Sequence, residues 1–260
     1  MISSPLVRAL AALRIPDAIL EDLPEVPESV SGLIVYGSRA RGDAIEGSDL
    51  DLLALVPSHQ PTVNAGAVSL SFYTPAQIQS GIGTLFGAHL SRDGKVLLDH
   101  DGELTAALGR MGHVDTDRLF RRVLAMSQLF TTPQFDLPKY LPGLLRQARY
   151  LLRSSLYAQA IAIGAPCFSV REIAVRHGDA DLARLLASRQ DGEATQQDYA
   201  DCLSRLRALI GEFPDSVHGS LEAALVNEWG SHTDLLSMAF MALGSAGGGS
   251  DYAEVEKILL

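Results

Sequence analysis

The spacing of hydrophobic and polar positions changes near residue 112. Before it, short apolar runs are separated by turn residues. Leu33–Tyr36 and Leu50–Val56 are nearly continuous runs and predict buried β-strands. Ala67–Tyr73 alternates: Val68, Leu70 and Phe72 form one row, and the polar side chains face the other way. With a short strand predicted over Lys95–Asp99, this part of the chain indicates a small sheet.

Beyond Gly112 the apolar positions recur every three or four residues, which is typical of helices packed in a bundle. The predicted helices include a long one with a kink at Pro142 and one that a capping box starts at Ser169. Their bounds are Tyr140–Ile163, 170–178, Leu182–Ser188, Gln196–Ile210, Leu221–Trp229 and Asp234–Leu243. The predicted organisation is therefore a sheet domain over 1–112, a helical bundle over 113–243, and a glycine-rich linker with a short helix over 244–260.

Composition narrows the classes of function. The net charge of −10 argues against non-specific binding of duplex DNA, which requires a basic surface. The two cysteines, Cys167 and Cys202, lie in separate predicted helices and are interpreted as reduced thiols. The sequence has neither a signal-peptide pattern nor an apolar run long enough to cross a membrane. We therefore expect a cytoplasmic protein without membrane contact.

The first strand leads into Gly37 and Ser38, and Asp49 and Asp51 stand at the head of the second. Residues two apart in a strand point to the same face, so the two carboxylates are predicted to project side by side. Adjacent carboxylates repel unless a cation neutralises them, and oxygen ligands suit Mg2+. The pattern predicts a magnesium site at Asp49 and Asp51.

The Gly-Ser turn supplies groups that favour anions. Gly37 permits close backbone approach, and the amides of Ser38 and Arg39 are predicted to begin a short helix. The Ser38 hydroxyl can donate to a phosphate oxygen, and Arg41 adds a fixed positive charge. Candidate nucleotide-binding residues are Gly37, Ser38, Arg39, Arg41 and Ser48. A phosphate-binding turn beside a metal-binding acid pair is suited to nucleotidyl transfer.

This signature, Gly37-Ser38 followed by Asp49-x-Asp51, resembles that of the polymerase-β-like nucleotidyltransferase superfamily. It is most similar to minimal nucleotidyltransferases, which include antitoxin partners of HEPN toxins and relatives of aminoglycoside nucleotidyltransferases. The resemblance implies an α+β fold in which a small mixed-sheet nucleotidyltransferase domain precedes an all-helical bundle domain. It also implies transfer of a nucleoside monophosphate from a nucleoside triphosphate, ATP by expectation, to a hydroxyl of a protein, an RNA or a small molecule. Mg2+ on Asp49 and Asp51 would assist.

One feature departs from that pattern. Active members carry a third carboxylate on a following strand, where this sequence has Ser69 and Ser71. Asp99 could substitute, but it is more simply interpreted as the end of a strand in a polar turn. The alternative function is therefore a catalytically lapsed module that binds a nucleotide or acts like an antitoxin.

Three further patterns leave alternatives open. Arg146, Arg149 and Arg153 share one side of the long predicted helix, either as a phosphate-contacting wall or as an ordinary solvated face. Arg171 and His177 resemble a loose HEPN ribonuclease pair, but six helical positions separate them onto different faces. The C-terminal helix is too short to be stable alone, so it should dock on its own bundle, on a second copy or on a partner protein, unless it frays.

Overall fold

The computed structural model describes residues 4–131, 136–186, 194–231 and 233–244. The chain forms two compact units, with the division between Val114 and Asp115. The first unit contains a mixed five-stranded sheet with short helices, and the described part of the second is helical. The predicted α+β fold with a helical C-terminal region is confirmed.

The described part of the first unit contains six short helices and five strands. They are α1 Ser4–Ala12, α2 Asp17–Leu20, β1 Gly32–Tyr36, α3 Gly37–Arg41, β2 Leu50–Leu55, β3 Val63–Ala65, β4 Val68–Tyr73, α4 Pro75–Ser80, α5 Leu85–Asp93, β5 Lys95–Asp99 and α6 Glu103–Leu108. The strands lie in the order β3-β4-β2-β1-β5. β2 and β4 run parallel, and the other neighbours run antiparallel.

Both faces of this sheet are covered by apolar side chains. The row Val68, Leu70 and Phe72 packs with the N-terminal helices on one face. The other face packs against α4, α5 and α6, and it carries Leu53 and Tyr73. Asp51 belongs to this second face because it lies two residues before Leu53 in β2. The alternation predicted for Ala67–Tyr73 is therefore confirmed, and the chemistry of Asp51 is restricted to one side of the sheet.

Helix α5 ends in a segment whose composition is typical of a turn. Although Ser91–Gly94 has this composition, the helix continues to Asp93 and Gly94 caps its end. Thr84 starts the helix, because its hydroxyl accepts a hydrogen bond from the Gly87 amide. Nine residues are enough to place His89 and Asp93 one turn apart on the same face. This continuation matters because it turns Asp93 inward, where it is 9% exposed.

The second unit consists of one long helix and several shorter ones. They are α7 Thr116–Ser127, a 3-10 turn Gln128–Thr131, α8 Asp136–Ala162, α9 Val170–His177, α10 Ala180–Leu185, α11 Gln196–Ile210, α12 Leu221–Asn227 and α13 Asp234–Leu243. The bounds predicted for the last long helix of the bundle and for its final helix agree with α11 and α13. Helix α8 packs against α7, α11 and α13 and forms the centre of the unit.

Four details of the helical prediction are corrected. Helix α8 kinks at Tyr140 and not at Pro142, because the proline lacks an N–H and its ring disturbs the preceding turn. Helix α10 ends at Leu185, before the predicted end, and α12 ends at Asn227 instead of Trp229. Cys167 lies in the connection between α8 and α9 instead of in a helix, and both cysteines are buried free thiols. The predicted C-terminal linker and helix lie outside the described residues, apart from Gly244.

Candidate active site at the Gly37 turn

The chain turns sharply where β1 meets α3. Gly37 has a positive φ of 76°, and α3 begins directly, without a side-chain cap on its first amides. The first amides of any helix lack partners within the helix, so the amides at this end of α3 can donate hydrogen bonds to an outside group. Gly42 closes the helix in the left-handed conformation. The predicted short helix at Ser38 and Arg39 is therefore present, although it has only five residues.

Asp51 lies directly against this turn. Antiparallel pairing of β1 and β2 puts Asp51 opposite Tyr36, the residue before Gly37. A Cβ built on Gly37 would stand 2.6 Å from Asp51 Oδ2, which is closer than real Cβ atoms approach. Only glycine fits here, for its φ and for this contact. The structure thus places the Asp51 carboxylate directly against the glycine turn.

Asp49 enters the same region from the loop before β2. It lies one residue outside the strand and is half-buried. The loop ends in a closed turn, in which the Ser48 hydroxyl accepts from the Ile45 amide at 2.9 Å. Arg39 then donates from Nε and Nη2 to the Ser48 carbonyl at 3.0 and 2.6 Å. Two of the predicted nucleotide-binding residues therefore contact each other and tie the loop that carries Asp49 to α3.

Arg41 contacts several polar side chains. Its Nη1 lies 3.2 Å from Asp93 Oδ2 and 3.1 Å from His89 Nε2, and its Nε lies 3.2 Å from Asp43 Oδ1. The Arg41 side chain is 16% exposed and the Asp93 side chain 5%. Burial raises the pKa of Asp93, and the neighbouring Arg41 and Arg92 oppose that rise. We call Arg41, Asp43, His89, Arg92 and Asp93 the Arg41 cluster.

Sequence reasoning missed Asp93 because Ser91–Gly94 resembles a turn. Two signals could have found it: the Thr84 cap and the four-residue spacing from His89. The ring tip of His89 contacts Arg41, which lies 48 positions away in the chain. The His89 ring also packs edge-on against Tyr36, with 5.9 Å between centroids. Burial, and secondarily Asp51, raise the pKa of Tyr36.

The position for a third acid is occupied by a serine. Parallel pairing of β2 and β4 puts Ser69 beside Asp51, and β3 adds Asn64 next to Ser69. Asp99 cannot substitute, since it pairs with Gly32 at the opposite end of β1, roughly 13 Å along the strand. It accepts hydrogen bonds from Leu104 and Thr105 at the start of α6. Within residues 4–131 and the other described ranges, no cluster of three His, Cys, Asp or Glu is arranged to hold a metal.

The donor set at the turn nevertheless suits a hard cation that arrives with a polyphosphate. Mg2+ commonly uses one or two carboxylates, several waters and the substrate phosphates. Asp49 and Asp51 are two oxygen donors, both half-buried, and the missing Cβ of Gly37 keeps the space beside Asp51 Oδ2 open. These residues fit Mg2+ bound together with a nucleotide better than Mg2+ bound alone.

The arginine stripe on α8 lies inside the helical unit. Arg149 is 8% exposed and pairs with Asp198, which also binds Arg184. Arg146 and Arg153 donate to the backbone carbonyls of Met241 and Leu186. The interpretation as a solvated face is therefore wrong for Arg149, and these contacts hold helices together within the unit.

The pair Arg171 and His177 is exposed on α9.

No helix in the described ranges is long and apolar enough to cross a membrane.

The first unit therefore has a mixed sheet, a glycine turn against one acid in β2, and a second acid in the loop just before that strand. Residues 16–90 match the family model described as a nucleotidyltransferase domain, and this stretch includes the turn and both acids. This match supports the polymerase-β-like nucleotidyltransferase superfamily for the matched residues. A nucleotidyltransferase-like protein from Exiguobacterium sibiricum 255-15, known from its crystal structure, is similar to this chain. The two are 17% identical, with 78% of this chain and 74% of that chain covered and a TM-score of 0.30. No curated protein matches the chain.

Proposed function

We propose that this protein transfers a nucleoside monophosphate from a nucleoside triphosphate, ATP by expectation, to a hydroxyl acceptor. The observation that carries the proposal is the position of Asp51 against the Gly37 turn. In the proposal Asp51 binds the metal and the turn binds phosphate. The family match over residues 16–90 supports nucleotidyl transfer in general.

In the proposed reaction the acceptor oxygen attacks the α-phosphorus, and the bond between the α-phosphorus and the bridging oxygen breaks. Pyrophosphate leaves, and the acceptor proton passes to solvent. The Ser38 hydroxyl and the first α3 amides would donate to phosphate oxygens. Asp49 and Asp51 would hold Mg2+, which offsets the phosphate charge and orients the reacting groups when it is bound.

The remaining predicted nucleotide-binding residues are given supporting roles. Arg39 would keep the Asp49 loop in place through the Ser48 carbonyl, since both of its recorded hydrogen bonds go there. Arg41 would hold the end of α3 while it lies among the acids of its cluster. Direct contact of Arg39, Arg41 or Ser48 with a phosphate stays a prediction.

The second candidate is a lapsed module that binds a nucleotide without transferring it. Ser69 favours this candidate, because a hydroxyl beside Asp51 is a poor base for an acceptor proton. A slow enzyme and a pure binder are separated by turnover, and not by binding. The toxin–antitoxin association, a partner protein and a homodimer stay predictions.

Transfer of label from α-labelled nucleoside triphosphates tests the proposal. The protein is incubated with Mg2+ and cell lysate, and labelled products and pyrophosphate are followed. We expect transfer by the wild type and a loss of at least about a hundredfold in Asp49→Asn and Asp51→Asn, because each removes a charged metal ligand without changing side-chain size. Asp101→Asn, an exposed acid after β5, is the matched control.

Pyrophosphate release that persists in both variants would contradict the assignment of the acids. Nucleotide binding with no release in any acceptor mixture would select the lapsed module. The labelled species itself distinguishes a protein, an RNA or a small-molecule acceptor.

A further inference from the structure

The Arg41 cluster brings five titratable side chains together in the first unit, and the proposed function gives a role to Arg41 alone among them. Its most buried member is Asp93, which contacts Arg41 of α3 through one oxygen and Arg92 of its own helix through the other, both at 3.2 Å. A carboxylate buried to this degree is unfavourable unless it is paired. Its pairing with α3 therefore calls for an explanation.

Helix α3 is too short to hold its own orientation. Five residues make little more than one turn, and nucleation of so short a helix is unfavourable without tertiary contacts. The N-terminal end lacks a side-chain cap and carries Gly37 and Ser38. The C-terminal end carries Arg41. Whatever fixes Arg41 therefore also fixes the direction in which Ser38 and the first amides point.

The contacts of Arg41 come from two places. Asp43 follows α3 directly in the chain and is 34% exposed, so its pairing with Arg41 is local and partly screened. Asp93 and His89 belong to α5, about fifty residues away, and are far less exposed. An arginine always donates, so His89 Nε2 accepts from Arg41 in this arrangement. Helix α5 itself packs on the sheet face that bears Asp51.

We propose that Asp93 is a positioning residue for nucleotide binding, which acts through Arg41 to hold the turn helix α3 at a fixed distance from Asp51. This inference rests on the proposed function and adds a residue that contacts neither phosphate nor metal. Asp93 anchors the guanidinium, the guanidinium anchors the end of α3, and α3 presents the Ser38 end to the polyphosphate.

Asp93→Asn should change nucleotide affinity in one direction if Asp93 positions α3, and in the other if Asp93 competes with a phosphate for Arg41. If the carboxylate only occupied Arg41 and kept it from a phosphate, its removal would tighten nucleotide binding. If it positions α3, its removal should weaken the affinity for Mg2+ with a non-hydrolysable ATP analogue about tenfold or more. Losses of this size are typical when a residue that orients a ligand-binding side chain is removed.

A double-mutant cycle tests the route through Arg41. Dissociation constants for the magnesium–analogue complex are measured for wild type, Asp93→Asn, Arg41→Gln and the double variant. We expect the double variant to bind no more weakly than Arg41→Gln alone, because Asp93 acts only through that guanidinium. Additive losses, or tighter binding by Asp93→Asn, would overturn the proposal.

Arg92→Gln is the matched control, because it removes the other ion pair of the same carboxylate without touching α3. Its affinity should stay within about twofold of the wild type. Thermal unfolding shows whether each variant is folded. Should Asp93→Asn not fold, the comparison of Arg41→Gln with Asp43→Asn decides instead: equal losses would overturn the role of Asp93. Wild-type protein that binds no nucleotide overturns the proposed function, whereas wild-type binding with unchanged Asp93→Asn binding overturns this inference alone.

Discussion

Arginines at helix positions do different work in the two units of this chain. Arg39 and Arg41 on α3 contact a loop carbonyl and buried acids beside a turn that two further acids approach. Arg149 and Arg153 on α8 contact Asp198 and the Leu186 carbonyl inside the helical unit. The local sequences are equally basic. The two sets of arginines differ in what they contact. Those on α3 contact groups beside the Gly37 turn, and those on α8 contact groups on other helices of the second unit.

This comparison teaches that an arginine pattern alone does not indicate a ligand. On α8 the guanidinium groups of Arg146 and Arg153 donate to carbonyls near the ends of other helices, and Arg149 pairs with Asp198. On α3 the same chemistry holds a glycine turn against Asp51. We expect the first use to affect the stability of the bundle and the second, under the proposed function, to affect nucleotide binding.

The largest effect is expected from Arg149→Met. This change leaves Asp198 buried with only the exposed Arg184 as its partner, so the free energy of unfolding should fall by about 3 kcal/mol. Nucleotide affinity of the folded protein should not change. Chemical denaturation measures the first quantity and calorimetric titration the second.

Arg184→Gln is the control for this pair, because it removes the 58% exposed partner of the same acid. Its cost should stay below about 1 kcal/mol. If Arg149→Met weakened nucleotide binding while the protein remained folded, the contrast between the two units would be wrong.

Gly37→Ala should produce the next largest effect. The new methyl group would meet Asp51 Oδ2, and the alanine would have to adopt a left-handed backbone conformation. Binding of the magnesium–nucleotide complex should therefore weaken by about thirtyfold, or about 2 kcal/mol. Gly42→Ala is a close match: its φ is 84° and nothing lies within 4 Å of an added Cβ. It carries the backbone strain without the contact with Asp51. Equal losses in the two variants would show that backbone strain, and not the Asp51 contact, sets the affinity.

A smaller effect is expected from Asp179→Asn in the helical unit. Hydrogen bonds from Arg205 lower the pKa of Asp179, so its contribution is present above the unfolded pKa and is lost as pH falls through the folded value. Asparagine can still cap α10, which isolates the ion pair. The variant should be about 1 kcal/mol less stable at pH 7 and equal to the wild type near pH 2.

Thermal unfolding at the two pH values provides the measurement, with Asp181→Asn as the control in the same helix. A deficit that persisted unchanged in acid would refute the ion-pair explanation. No change in nucleotide affinity is expected at neutral pH.

Much of the site could be predicted because its determinants are local. The strands ending at Tyr36 and beginning at Leu50, the turn at Gly37 and the row Ser69 to Tyr73 all follow from short-range patterns. The family resemblance carried by the same residues then predicted the α+β fold. Even the absence of a third acid was readable, since Ser69 stands in register with Asp51.

What could not be predicted depends on pairing over long distances. The connection of Arg41 with Asp93 spans 52 residues, and the sequence gives no signal that α3 and α5 touch. The position of Asp99 required the register of β5 on β1. The burial of Arg149 required knowing that Asp198 on α11 faces it. In the cases of Asp93 and Arg149, a polar residue that looks solvent-exposed in the sequence is paired by the tertiary fold.

Calorimetric titration of a non-hydrolysable ATP analogue, with and without Mg2+, tests the central claim most directly. Wild type and Asp51→Asn are compared under identical conditions, so that no acceptor is needed. If Asp51 and the Gly37 turn form one magnesium–polyphosphate site, the wild type binds only with Mg2+ and the variant loses that dependence together with most of its affinity. Equal, metal-independent binding by both proteins would contradict the account.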